Sequence, residues 1–253
     1  MKTLNLVLIA PLLLLLITGC DKNDNPSSQT IYGKAVTLGE DSIRAFVTLD
    51  DGGDPQTIGL QFGENALKGL PTDTMPGMPH YMHIVAIPEQ GKMIGVDHFE
   101  VDWNPLGHEP KAIYGVPHFD FHFYYIKSEE QAKIAGGPDT VSVPAQYIPK
   151  DYIVPVPFAV PYMGVHWFDS TAAEFHGQPF TATFIYGFYH GEMIFLEPMI
   201  TKAYLETRPD VSVVIKQPVA FQKSNYYPTN YQVKYDTVKH VYLLTFSGII
   251  KHV

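Results

Sequence analysis

A single cysteine, Cys20, is all that the 253-residue chain contains. One thiol excludes an intrachain disulfide and any multi-cysteine zinc or iron–sulfur site. Basic residues are also scarce, with 17 Lys and Arg against 26 Asp and Glu and a formal net charge of −9. That balance argues against nucleic acid as a partner, because phosphate backbones are met by basic patches. Several catalytic signatures are missing. The chain has no phosphate-cradling glycine loop, no Gly-x-Ser-x-Gly elbow, no His-Glu-x-x-His helix and no EF-hand loop. Long apolar runs are missing too, apart from residues 6–17. At ~1.5 Å per residue that run spans roughly 18 Å as a helix, well short of a ~30 Å hydrocarbon core.

The short run therefore reads as the core of an export signal. Met1-Lys2-Thr3-Leu4-Asn5 supplies a positively charged start, and Ile17-Thr18-Gly19-Cys20 resembles a bacterial lipobox. The expectation is a signal peptide over 1–19, a lipid-modified Cys20 and a polar, flexible tether over 20–30. A lipidated Cys20 is not a nucleophile. The partner implied is a membrane, reached through the lipid, and the location is the cell envelope, facing the periplasm or the exterior. Several acyl chains suffice for stable anchoring, at ~0.8 kcal/mol per buried CH₂.

The remainder, 31–253, is long enough for one large domain, and 45% of the whole chain is hydrophobic. Its 21 prolines and 20 glycines are spread throughout, and the apolar segments between them are short and rich in Val, Ile, Tyr and Phe. Such segments suit strands. Strands are expected over 30–37, 42–49, 57–62, 81–87, 95–103, 119–126, 180–189, 193–197, 211–216, 231–235 and 241–250. Short helices are expected over 64–68, 128–134 and 200–205. The Pro-rich stretch 136–161 reads as an extended segment lying on the domain. The fold class is all-β, mainly an antiparallel barrel or sandwich, with a few short helices.

Chemistry concentrates in His118-Phe119-Asp120-Phe121-His122-Phe123. Alternate residues of a strand share a face, so His118, Asp120 and His122 point one way and the three Phe the other. The Phe face can enter a core, whereas the His/Asp face must meet water, hydrogen-bond partners or an ion. Residues two apart on a strand are ~6.6 Å apart at Cα, and residues four apart roughly 13 Å. One ion can take Asp120 with either His, and both His only if the strand bends. His166, beside Trp167, and Glu197, inside an apolar run, are the other His and carboxylate in apolar surroundings. The expected metal ligands are His118, Asp120, His122 and His166. His108, Glu109 and Glu197 are expected at the rim or behind the ligands. His98, Glu100 and Asp102 also share a strand face, but read as an ordinary exposed set. Nitrogen and oxygen donors together suit zinc, manganese, iron or copper.

The segments NPLGHEP, VPHFDFHFYYI, MGVHWFD and IYGFYHGEMIFLEPMIT, in this order, resemble an uncharacterised family of exported bacterial proteins carrying a domain of unknown function. The resemblance covers most of 33–205 and implies a β-rich exported domain, without an activity. Two functions follow as expectations. One is a membrane-anchored lipoprotein with a metal-binding His/Asp site, possible small-molecule ligand and an activity that stays open. The other is a non-enzymatic envelope or surface protein in which the His/Asp face is structural.

Overall fold

The computed structural model describes residues 28–74, 77 and 80–252. The expected signal, Cys20 and residues 21–27 of the tether lie outside the described residues. Eighteen strands follow in chain order: β1 (Gln29–Tyr32), β2 (Val36–Leu38), β3 (Asp41–Leu49), β4 (Pro55–Gly63), β5 (Tyr81–Ala86), β6 (His98–Asn104), β7 (His118–Tyr124), β8 (Gly137–Pro138), β9 (Tyr152–Ile153), β10 (Phe158–Ala159), β11 (Val165–Asp169), β12 (Ala182–Tyr189), β13 (Glu192–Thr201), β14 (Asp210–Val214), β15 (Asn225–Tyr227), β16 (Asn230–Asp236), β17 (Val241–Ser247) and β18 (Ile250–His252). The first strand begins at Gln29, so Gln29 and Thr30, expected in the tether, instead pair with Leu49 and Thr48.

Two antiparallel sheets form the frame. One has the order β1-β3-β4-β17-β16-β14, with β2 beside β3, and the other the order β5-β6-β7-β13-β12-β11-β9. Neither sheet closes on itself, so the fold is a sandwich and not a barrel. The sheets pack through aromatic side chains. Phe123 meets Phe246 at 4.0 Å between ring centroids, Phe184 meets Tyr231 at 5.3 Å, and Phe62 meets Phe121 at 6.1 Å. Burying each such side chain contributes roughly 1.5–3 kcal/mol. The Phe119, Phe121 and Phe123 face of β7 is thus committed to the interior between the sheets. Because the strand period is two, that commitment turns His118, Asp120 and His122 to the opposite face.

Two strands differ from their sequence-based bounds in ways that matter. β13 runs on through Pro198 to Thr201. Proline donates no N–H, and the pairing of β13 with β7 is interrupted at Glu197 and Pro198 while that with β12 continues. β11, which carries His166, was not expected as a strand; Val165-His-Trp-Phe-Asp shows no clear apolar alternation. Helices are short: α1 (Lys111–Tyr114), α2 (Ser128–Gln131), α3 (Lys202–Glu206) and four 3-10 turns. Among the described residues, no helix is long and apolar enough to cross a membrane. Segment 136–161 lies over the outer face of the second sheet, with β8 and β10 paired to each other and β9 added beside β11.

Candidate metal centre

The outer face of the second sheet should be wet in an ordinary sandwich, yet here it is covered. β6 presents His98, Glu100, Asp102 and Asn104, and all four are buried. β7 adds His118, Asp120 and His122, and β13 adds Glu197, which is 1% exposed. The register aligns them: Glu100 faces His122, Asp102 faces Asp120, and Asn104 faces His118. A cavity of about 910 Å³ opens above this floor. Its polar end carries His80, Asn104, His108, Asp120 and His166, and its walls are apolar, including Ile153, Val156 and Phe158 from the covering segment.

Three groups of His and carboxylate side chains bring their ligand atoms within 4.8 Å of one another: His108, His118 and Asp120; His122, His166 and Glu197; and Glu100, Asp102 and His122. The four sequence-predicted ligands are therefore divided. His118 and Asp120 belong to the first group, and His122 and His166 to the second. His108, expected at the rim, joins the first group, with Nε2 3.4 Å from Asp120 Oδ2. Glu197 is not at the rim but on the buried floor between His122 and His166. Glu109 is exposed and lines the cavity mouth, where its carboxylate accepts from the Lys111 N–H at 2.8 Å.

In the first group, each imidazole is oriented from behind. The His118 Nδ1–H donates to the Val116 carbonyl at 2.7 Å, and the His108 Nδ1–H to the Glu109 carbonyl at 2.7 Å. A carbonyl only accepts, so both Nδ1 atoms carry the proton and both Nε2 atoms are left to face Asp120. His118 Nε2 stands 3.1 Å from Asp120 Oδ1, without the alignment of a hydrogen bond. Asn104 Nδ2 donates to the other carboxylate oxygen at 2.8 Å. Burial works to raise Asp120, but His118 and His108 beside it outweigh that and hold its carboxyl well below the usual range. Across the ladder, burial drives Asp102 well above that range, and the neighbouring Glu100 and Asp120 add to the shift. Two carboxylates directly opposite each other are thus pushed in opposite directions by their surroundings.

The second group repeats the arrangement. His122 Nε2 lies 3.6 Å from Glu197 Oε1, and His166 Nε2 lies 3.6 Å from Glu197 Oε2. His122 Nδ1 faces Asp102 Oδ2 at 3.4 Å. Burial pushes His122 down to about 3 and His166 down to about 4, so both rings are neutral near pH 7. Burial also lifts Glu197 well above the usual range, helped by Asp120, Asp102 and Glu100. In the third group Glu100 is held from outside: Gln131 Nε2 donates to it at 2.8 Å, and Gln131 Oε1 meets His98 Nε2 at 2.8 Å. Asp102 and His122 have no hydrogen-bond partner among the described residues, and the group shares His122 with the second.

Sequence reasoning placed Glu100 and Asp102 on an exposed face; α2 covers Glu100 through Gln131, and Asp102 lies buried between His80 and His122. Their inward partners Phe99, Val101 and Trp103 carried the same alternation as β7, which was the available signal. His80 and Asn104 had no such signal. The segments NPLGHEP, VPHFDFHFYYI, MGVHWFD and IYGFYHGEMIFLEPMIT meet at this floor. They supply Asn104 and His108, then His118, Asp120 and His122, then His166, and last Glu197. No family model, curated protein or solved structure matches the chain.

Proposed function

We propose that this chain is an exported, lipid-anchored metalloprotein. Its sandwich holds a divalent first-row transition ion at His108, His118 and Asp120, beneath a cavity that admits a small, largely apolar molecule. One observation carries the reading. The Val116 carbonyl fixes the His118 tautomer, and this leaves a fully buried Nε2 against a carboxylate oxygen at 3.1 Å with no hydrogen bond between them. A buried Nε2 and a carboxylate oxygen at that distance need a positive charge between them, a metal ion or a proton on Nε2, and the departure from hydrogen-bond alignment favours the ion. Ligand atoms bonded at ~2.0–2.2 Å to one ion stand about 3.0–3.6 Å apart, which the separations of 3.1 and 3.4 Å around Asp120 match. Two His and one carboxylate leave coordination positions open, as suits zinc, iron or manganese sites that bind a small molecule at the metal.

The cavity sets what that molecule is. Its apolar walls suit a hydrocarbon body, and the polar end directs an oxygen-bearing head to the ion. Such an ion can polarise the head oxygen or activate a bound water. Within the chain, His80 and Asn104 are placed to hydrogen-bond the head, and Asp120 and the two imidazoles hold the ion. The envelope location rests on Lys2, the apolar run 6–17 and Ile17-Thr18-Gly19-Cys20.

Elemental analysis of untagged, full-length protein purified in detergent tests the metal reading. At least one stoichiometric transition ion, with a lower melting temperature after chelation, is expected. Metal-free protein whose melting is indifferent to added metal and to chelator would overturn it. The anchor is tested separately by labelled fatty acid, which Cys20→Ser protein should fail to incorporate; incorporation at the wild-type level would sink that part.

A further inference from the structure

We infer that His122, His166 and Glu197 form a second divalent-metal site, separate from the one at His108, His118 and Asp120. The second set comes from different strands, with His122 on β7, Glu197 on β13 and His166 on β11. The sheet order β7-β13-β12-β11 would leave β11 too far from β7 for a direct contact. Two features close the gap. Gly187 lies between them on β12 and has no side chain, so the Phe195 ring lies over it; a Cβ there would stand 2.1 Å from that ring. With that strip lowered, the His122 and His166 rings approach to 6.2 Å between centroids, both against Phe195.

The donors are poised as ligands. Glu197 offers one carboxylate oxygen to each imidazole, at 3.6 Å in both cases. These are again the separations of donors around one ion with bonds of ~2.0–2.2 Å. Both His122 ring nitrogens and Glu197 Oε2 are buried and have no hydrogen-bond partner among the described residues. Behind His122, Asp102 Oδ2 stands 3.4 Å from Nδ1, the side on which metal-bound histidines meet a carboxylate. Bulk solvent does not reach the set, since His122 and Glu197 are each no more than 1% exposed. His166 lines the same cavity as His108 and Asp120, so the two groups adjoin one cavity on the same face of the sheet.

Two neutral imidazoles and one carboxylate suit zinc, cobalt(II), iron(II) or manganese(II). The experiment is a cobalt(II) titration of chelator-stripped full-length protein, read by the cobalt absorption bands and by elemental analysis after desalting. Wild type should take up two ions per chain. His108→Ala should keep one, and Glu197→Gln and His166→Ala should each keep one. Glu197→Gln is isosteric with the protonated acid, so it guards against a folding artefact, and every variant is checked for a wild-type-like melting transition in chelator. One ion in the wild type, lost with His108→Ala and kept with Glu197→Gln and His166→Ala, overturns the second site alone. One ion lost with each of the three variants means a single shared site and also overturns it, whereas one ion kept with His108→Ala and lost with the other two leaves the second site and overturns the first. Two ions that persist in both Glu197→Gln and His166→Ala overturn the second site as well. No ion in the wild type overturns both this inference and the proposed function.

Discussion

His118 presents Nε2 to Asp120 Oδ1 at 3.1 Å while its other nitrogen is held by the Val116 carbonyl at 2.7 Å. The ring cannot turn away without giving up a buried hydrogen bond, which costs roughly 1–3 kcal/mol. The carboxylate is likewise held by Asn104 at 2.8 Å. The pair is therefore preorganised, and its value to an ion lies in the charge of Asp120. Asp120→Asn keeps the shape and lets the amide oxygen accept from Asn104. It should weaken metal binding at this site by more than ~100-fold, beyond the 10–100-fold of changes behind a ligand. Competition against a chelator of known affinity measures this. An affinity within threefold of wild type would remove Asp120 from the ligand set.

The pH dependence of the stripped protein has two opposing parts. His122 and His166 titrate near ~6.5 when unfolded, but burial takes them to about 3 and about 4 in the fold. The unfolded chain therefore binds more protons in that window, and stability falls as pH drops from about 6.5 toward 4. Glu197 and Asp102 act the other way. Their folded carboxyls hold protons above the usual range, so stability falls as pH rises through their raised values. Thermal melts in chelator should show both limbs. Glu197→Gln should lessen the loss on raising the pH, and His166→Ala the loss on lowering it. Added metal should reverse the loss on raising the pH, because its ligands bind deprotonated. A loss on raising the pH that Glu197→Gln leaves unchanged would contradict the raised carboxyl.

Lys216 controls the covering segment. Its ammonium donates to Asp151 at 3.1 Å, to Asp169 at 2.9 Å and to Thr171 at 2.8 Å. Asp151 precedes β9, and Asp169 ends β11, the strand of His166. The lysine is about one-third exposed, so its pairs add at most ~1 kcal/mol to global stability. Their effect is local, on how often β9 leaves the edge of the sheet. Lys216→Met should leave the melting temperature within a few degrees, roughly 2–4 °C per kcal/mol for a domain of this size. Amide exchange at Tyr152 and Ile153 should quicken several-fold. Equal exchange rates in both proteins would show that apolar contacts alone hold the segment.

Local chemistry made β7 legible. Three Phe at alternate positions announce a core face, and the histidines and Asp120 between them follow by parity. The tertiary partners were not legible, for definite reasons. Pro198 reads as a strand stop, yet β13 continues because the proline falls where pairing to β7 is already interrupted. Glu100 and Asp102 read as solvent-facing because nothing near them in sequence says that Gln131 will cover Glu100 from 31 residues away, or that His80 and His122 will flank Asp102. The division of His118 and His122 between two groups depends on where His108 and Glu197 arrive, and both come from other parts of the chain. The roof over the site is the Pro-rich segment, whose composition suggested an extended path but not the face it would cover.

The contact of Gly187 with Phe195 gives the sharpest test of how the second site is built. The two residues are opposite each other on β12 and β13, and a Cβ at 187 would enter the Phe195 ring at 2.1 Å. The glycine is needed for space alone, since its φ is not in the left-handed region. Phe195 is fully buried and packs on His122 at 4.9 Å and His166 at 5.2 Å. It has no free direction in which to yield, and overpacking of this kind costs about 1–3 kcal/mol. Gly187→Ala should therefore lower the melting temperature by roughly 2–12 °C. It should also weaken metal binding at His122, His166 and Glu197 more than at His108, His118 and Asp120. Shrinking the ring should relieve the clash. In a double-mutant cycle, Gly187→Ala should cost at least ~1 kcal/mol less in a Phe195→Leu background than in wild type, a coupling typical of residues in contact. Additive costs, within the ~0.5 kcal/mol expected of independent sites, would mean that Phe195 does not depend on the glycine. The approach of His166 to Glu197 would then need another cause.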